Sequence, residues 1–135
     1  MKFNIAIDGP SAAGKSTIAK KLAKELGYAH LDTGAMYRCV AYFSKLKDVS
    51  FDDEEKVASL IDAMQIHFDA QGNVYLNDEN VSNEIRKNEI SMLTSKISAY
   101  PAVREKLVAM QQKMAEHKGY IMEEILEPLF YQMQK

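Results

Sequence analysis

The sequence predicts an α/β fold: a parallel sheet of about three strands, flanked by helices in three layers, with a small antiparallel insert. Three observations predict it. The short apolar runs Ile5-Ala6-Ile7, Tyr28-Ala29-His30-Leu31 and Tyr120-Ile121-Met122 lack the polar alternation of a one-sided sheet, and read as strands buried on both faces. Between them, apolar residues recur at the three- and four-residue spacing of amphipathic helices. The stretch 65–81 alternates instead and is punctuated by turn residues.

In chain order, Ile5-Ala6-Ile7 stands between Asn4 and Asp8 and is ended by Gly9-Pro10. From Lys15 the pattern turns helical, with Ile18, Leu22 and Leu26 four apart, Ala19 and Ala23 beside them, and Gly27 as the stop. After the strand at Tyr28 to Leu31, Asp32-Thr33-Gly34 opens a helix with Met36, Tyr37, Val40 and Phe43 on one face. A third helix is predicted over 53–64. In the insert, Ile66 and Phe68 alternate, Gln71-Gly72-Asn73 turns, Val74 and Leu76 alternate again, and Asn77-Asp78-Glu79-Asn80 makes a second turn. One helix is then expected from Ser82 or Asn83 to about Ala99. Pro101 suits the first position of another, whose Val103, Leu107 and Met110 repeat up to Lys118, before Gly119. Past the strand Tyr120-Ile121-Met122, Glu123 to Lys135 carries Ile125, Leu126, Leu129, Phe130 and Met133 on one helical face, interrupted by Pro128. The expected organisation is a core of 1–64 and 82–122, an insert of 65–81 and a C-terminal helix of 123–135.

With 135 residues, 47% apolar and 27% charged, the chain has the size of one domain. Seventeen Lys and Arg against nineteen Asp and Glu give a net charge of -2, which excludes a general affinity for nucleic acid or for anionic membranes. Any polyanion must meet a local site. Cys39 is the only cysteine, which excludes an internal disulfide framework and a Cys-rich zinc site and predicts a reducing, cytoplasmic setting. No apolar run approaches the roughly 20 residues of a membrane span. His30, His67 and His117 share no metal-ligand spacing.

Gly9-Pro10-Ser11-Ala12-Ala13-Gly14-Lys15-Ser16, followed by Thr17, satisfies G-x-x-x-x-G-K-[ST] between a predicted strand and a predicted helix. Gly9 and Gly14 allow successive backbone N–H groups to point at phosphate oxygens, and the following helix N-terminus adds partial positive charge. Lys15 supplies a full charge at the β- and γ-phosphates, and the Ser16 hydroxyl is placed to ligate Mg²⁺. The plainer alternative is a glycine turn with an exposed lysine. In Asp32-Thr33-Gly34-Ala35-Met36-Tyr37-Arg38, the arginine lies a turn and a half into a helix, placed to grip an anionic acceptor bidentately. Taken alone, the segment reads better as an N-capped surface helix with a solvated arginine.

Together, 5–17, 31–38 and Ala99-Tyr100-Pro101-Ala102-Val103-Arg104 strongly resemble the bacterial cytidylate kinases, nucleoside monophosphate kinases of the P-loop class. The resemblance spans Met1 to Met122, and Val81-Ser82-Asn83-Glu84-Ile85-Arg86 resembles the family's pyrimidine-monophosphate-binding region. It implies transfer of the ATP γ-phosphoryl group to CMP or dCMP with Mg²⁺. It also implies that Asp32 and Arg38 contact the acceptor nucleotide, that Ser95 reaches its base, and that Arg104 binds its phosphate or orients the base. Read without the resemblance, Ser95 is a helix-surface hydroxyl and Arg104 a solvated charge. Lys15 and Arg38 are then the expected catalytic groups.

The sequence departs from this family after Met122. There the family continues with Asp-Gly-Arg-Asp, whose arginine grips the acceptor phosphate; here Glu123-Glu124-Ile125-Leu126 stands in its place. Arg38, Arg86 and Arg104 are the only arginines. Because the family adds two core strands and an arginine-rich lid, the expectation is a truncated version with an open sheet edge and weak or absent catalysis. The family implies a monomer, while an open edge favours association. The competing readings are a non-catalytic nucleotide-binding or interaction fragment, and a kinase for another small acceptor.

Overall fold

The structure, a computed structural model, describes residues 5–7, 21, 25–26, 28–116 and 120–123. The phosphate-loop motif at Gly9 to Thr17 and the predicted helical tail from Glu124 onward lie outside them, as does most of the predicted first helix. The chain divides into two compact units. One draws on Met1–Asp32, Phe68–Asn73 and Met110–Lys135, the other on Thr33–His67 and Val74–Ala109.

The first unit holds the predicted parallel sheet. Strands β1 (Ile5–Ile7), β2 (Ala29–Leu31) and β6 (Tyr120–Glu123) lie in the order β1-β6-β2. Ile5 faces Ile121 and Ile7 faces Glu123 on one side of β6, while Ala29 faces Tyr120 and Leu31 faces Met122 on the other. Successive residues His30 and Leu31 are both buried, so β2 is covered on both faces, as its unbroken apolar character requires. Glu123, expected to open the terminal helix, is instead the last residue of β6, because the ladder with β1 continues one residue past the apolar run. Burial pushes the Tyr120 phenol above its ordinary pKa. Near the end of the helix before β6, Gln111 is wholly buried, and among the described residues neither of its amide atoms has a hydrogen-bond partner.

The second unit is built on α1 (Thr33–Leu46), α2 (Glu54–Leu60), α3 (Asn88–Ile97) and the first part of α4 (Pro101–Glu116), with a small sheet of β3 (Ile66–Phe68), β4 (Val74–Leu76) and β5 (Glu79–Asn80) in that order. Its core includes Met36, Val40, Val57, Ile90, Ile97, Val103 and Leu107, of which Met36, Val40, Val103 and Leu107 stand at the helical spacing read from the sequence. The α2 helix starts where expected, since the Asp53 carboxylate accepts the Lys56 backbone N–H at 3.1 Å. It ends sooner. After Leu60 it tightens into a 3₁₀ turn, Ile61–Ala63, and Met64 is extended. Asn77 closes this end: its side chain accepts the Gln65 N–H at 2.8 Å and donates to the Ala63 carbonyl, while its own N–H reaches the Gln65 carbonyl.

Two further departures have local causes. The second turn of the insert is confined to Asn77 and Asp78, whose φ values of 49 and 70 degrees form a two-residue hairpin turn that leaves Glu79–Asn80 to pair antiparallel with β4. The helix expected from Ser82 is broken at Lys87, which is extended between a 3₁₀ turn, Glu84–Arg86, and α3. Ser82 does not start a helix because its hydroxyl accepts the Val74 N–H at 2.8 Å and donates to Asn80. The break also turns the Ile85 carbonyl away from a helical partner.

Candidate functional site

The turned-away Ile85 carbonyl and the first turn of α3 meet the middle of α1, which packs against both. Arg38 is half-buried there. Its Nη1 donates to the Ile85 carbonyl oxygen at 3.1 Å and to the Ser91 hydroxyl at 2.9 Å. A guanidinium Nη carries two protons, so both on Nη1 are used, and both acceptors are neutral. The opposite edge, Nε and Nη2, is left without a protein acceptor among the described residues.

Among the described residues no carboxylate forms an ion pair with Arg38. The two glutamates flanking its anchors are committed elsewhere. Glu89 is hydrogen-bonded and ion-paired with Lys45, which holds its carboxyl below the ordinary glutamate value. Glu84 hydrogen-bonds Lys87 at 2.8 Å, which raises the lysine pKa. A half-buried cation, fixed by neutral acceptors and presenting a free planar edge, is complementary to a bidentate oxyanion such as a phosphate.

Ser95 lies one turn beyond Ser91 on the same face of α3, exposed, with its hydroxyl donating to the Ser91 carbonyl at 3.2 Å. Ser91 thus bonds both Arg38, through its hydroxyl, and Ser95, through its carbonyl. Arg104 is exposed in the first turns of α4, its backbone N–H bonded to the Tyr100 carbonyl at 3.1 Å. Asp32, half-buried, is the link between β2 and α1. Lys15, Ser16 and the rest of the phosphate-loop motif lie outside the described residues, but β1 ends just ahead of Gly9, so the motif follows a parallel strand as its chemistry requires. Among the described residues no group of three or more His, Cys, Asp or Glu is arranged to hold a metal, and no helix is long and apolar enough to cross a membrane.

Sequence reasoning passed over the two anchors of Arg38. The Ile85 carbonyl has no sequence signal, since it is backbone exposed by a break that side-chain periodicity does not show. Ser91 had one: it sits four residues before Ser95, and so on the same helical face.

Residues 5–124 match the family model for cytidylate kinase. The chain is similar to the cytidylate kinase of Caldicellulosiruptor bescii, with 46% identity over 125 residues that cover 90% of this chain and 55% of that protein. It is 46% identical over 122 residues to the cytidylate kinase of Syntrophotalea carbinolica, covering 88% of this chain and 52% of the relative. For that of Caldanaerobacter subterraneus subsp. tengcongensis the figures are 48% over 123 residues, 91% and 54%. The chain spans about half the length of these curated relatives. The family match runs from β1 through α1, the insert, α3 and α4 to the end of β6, and the chain belongs to the cytidylate kinase family.

Proposed function

We propose that this chain carries the nucleotide-binding machinery of an ATP-dependent kinase that phosphorylates CMP or dCMP, with Arg38 holding the acceptor phosphate. The observation that carries this reading is the immobilised guanidinium of Arg38, which among the described residues meets no carboxylate and has no protein acceptor at its Nε–Nη2 edge. In the reaction, an oxygen of the acceptor phosphate attacks the γ-phosphorus of ATP, the bond from that phosphorus to the β-phosphate oxygen breaks, and ADP leaves. The attacking phosphate is already ionised at neutral pH, so no general base is required; the demand is for cations that bring two polyanions together. Arg38 meets that demand on the acceptor side. Ser95 and Asp32 position the base and sugar end of the nucleotide, and Arg104 binds its phosphate or orients its base. On the donor side the backbone of Gly9 to Thr17 cradles the phosphates, Lys15 neutralises the β- and γ-oxygens, and the Ser16 hydroxyl is the ligand offered to Mg²⁺. When bound, Mg²⁺ supplies charge neutralisation between the β- and γ-phosphates.

A second reading, nucleotide binding without turnover, is favoured by the sequence after Met122, where Glu123-Glu124-Ile125-Leu126 stands in place of the family's Asp-Gly-Arg-Asp and offers no arginine for the acceptor phosphate. A coupled assay of ADP release with CMP, dCMP and UMP, run beside calorimetric titration with CMP, separates the two. CMP-dependent turnover establishes the kinase reading; CMP binding without turnover establishes the second. If CMP does not bind, or binds more weakly than another monophosphate, the substrate assignment falls.

A further inference from the structure

We infer that Ser91 is a positioning residue for acceptor recognition: its hydroxyl, with the Ile85 carbonyl, locks Arg38 so that the guanidinium presents its Nε–Nη2 edge to the nucleotide phosphate. The phosphate contact rests on the proposed function above; the lock does not. Arg38 Nη1 spends one proton on Ser91 Oγ at 2.9 Å and the other on the Ile85 carbonyl at 3.1 Å. Two acceptors in different directions fix both the plane and the rotation of the group, which a single one would leave free to swing.

The polarity of Ser91 is set as well. An oxygen that accepts from Arg38 must send its own proton elsewhere, and the Lys87 carbonyl, one turn back along α3, lies 3.5 Å from it. Ser91 therefore accepts from the arginine and donates towards its own helix. The break at Lys87 makes this possible, because it frees the Ile85 carbonyl and starts α3 at Asn88, which places Ser91 in the first turn facing α1. Both acceptors are uncharged, so they hold the cation without cancelling it. A carboxylate in either place would compete with a phosphate.

The consequence lies in pre-organisation. A long side chain already ordered in the free protein loses less rotamer entropy when the nucleotide arrives. Removing the hydroxyl should weaken phosphate recognition while leaving contacts to base and sugar untouched. Threonine keeps the hydroxyl and bonds the carbonyl one turn back equally well, so it is the conservative replacement.

The test compares the full chain with its Ser91→Ala, Ser91→Thr and Arg38→Ala variants, first without nucleotide and then with CMP and cytidine as probes. By ¹⁵N NMR of arginine side chains, rotation of the Arg38 guanidinium should be slow in the parent and in Ser91→Thr and fast in Ser91→Ala. Equal rotation in parent and Ser91→Ala overturns the lock whatever the protein binds. By titration, Ser91→Ala should bind CMP roughly tenfold more weakly, with cytidine affinity unchanged and Ser91→Thr restoring CMP binding. Equal weakening toward CMP and cytidine assigns Ser91 a merely structural role and overturns the inference. If Arg38→Ala leaves CMP affinity intact, the phosphate assignment of Arg38 fails, even where the NMR arm upholds the lock.

Discussion

The phenol of Tyr100 donates a hydrogen bond to the backbone carbonyl of Phe51 at 2.8 Å, joining the corner between α3 and α4 to the loop that leads into α2. Glu54, at the start of α2, accepts the Ala102 N–H at 3.1 Å and so caps the N-terminus of α4 from another element. Tyr100→Phe is expected to lower stability by about 1 kcal/mol and Glu54→Ala by about 1 kcal/mol. Because they serve one joint, the double variant should lose less or more than the sum. Urea unfolding midpoints decide it, and strict additivity would show that the two contacts act independently.

Gln111 offers a stabilising change. Its buried amide has no partner for oxygen or nitrogen among the described residues, and each unmet polar group costs on the order of 1–3 kcal/mol. Gln111→Met keeps a similar length without those groups and should raise the unfolding temperature. A lower one would mean that the amide is hydrogen-bonded in solution.

The pairing of Glu89 with Lys45 gives a pH dependence of definite sign. The hydrogen bond and charge of the lysine depress the glutamate pKa in the folded state, so the pair stabilises the fold above the ordinary glutamate value and ceases to do so as pH falls through the depressed one. The difference in unfolding temperature between the parent and Glu89→Gln should be present at pH 7 and shrink as the solution is acidified below the ordinary glutamate range. Added salt should shrink it, since both side chains are exposed. A difference that grows on acidification would contradict the pairing.

Arg38→Lys separates charge from geometry. Lysine keeps a cation on α1 but has no fork to reach Ile85, Ser91 and a phosphate together. CMP affinity is expected to fall by roughly tenfold or more, from the loss of a bidentate charge-assisted contact. Calorimetry showing parent-like affinity would reduce Arg38 to a point charge.

Much of this was readable from the sequence, for reasons that differ by element. The strands Ile5–Ile7, Ala29–Leu31 and Tyr120–Glu123 were legible because an unbroken apolar run between turn residues fits a strand covered on both faces. Helices α1 and α4 announced themselves through the spacing of Met36 and Val40, and of Val103 and Leu107. Glu79–Asn80 reads as turn from sequence because it continues the polar run Asn77-Asp78; its strand character comes from the left-handed backbone at Asn77 and Asp78, not from burial, since both residues are exposed. The Lys87 break was hidden for a tertiary reason: the Ile85 carbonyl is satisfied by Arg38, 47 positions away, and local periodicity does not register such a bond. At the site, Arg38 and Ser95 stood out by residue type and motif, whereas Ser91 became visible only with the partner that it holds.

The placement of β6 between β1 and β2 governs the order in which the molecule is assembled on the ribosome. Among the described residues β1 and β2 each pair with β6, so this part of the sheet waits until Tyr120–Glu123 has been made. The unit built from Thr33–His67 and Val74–Ala109 has no such delay, as all of its chain emerges before β6. Loop closure across so long a separation is slow compared with local helix packing. Nascent chains should therefore acquire the α1–α3 contact that seats Arg38 before they acquire the β1-β6-β2 ladder, and the apolar Ile5–Ile7 run needs protection from association until β6 arrives.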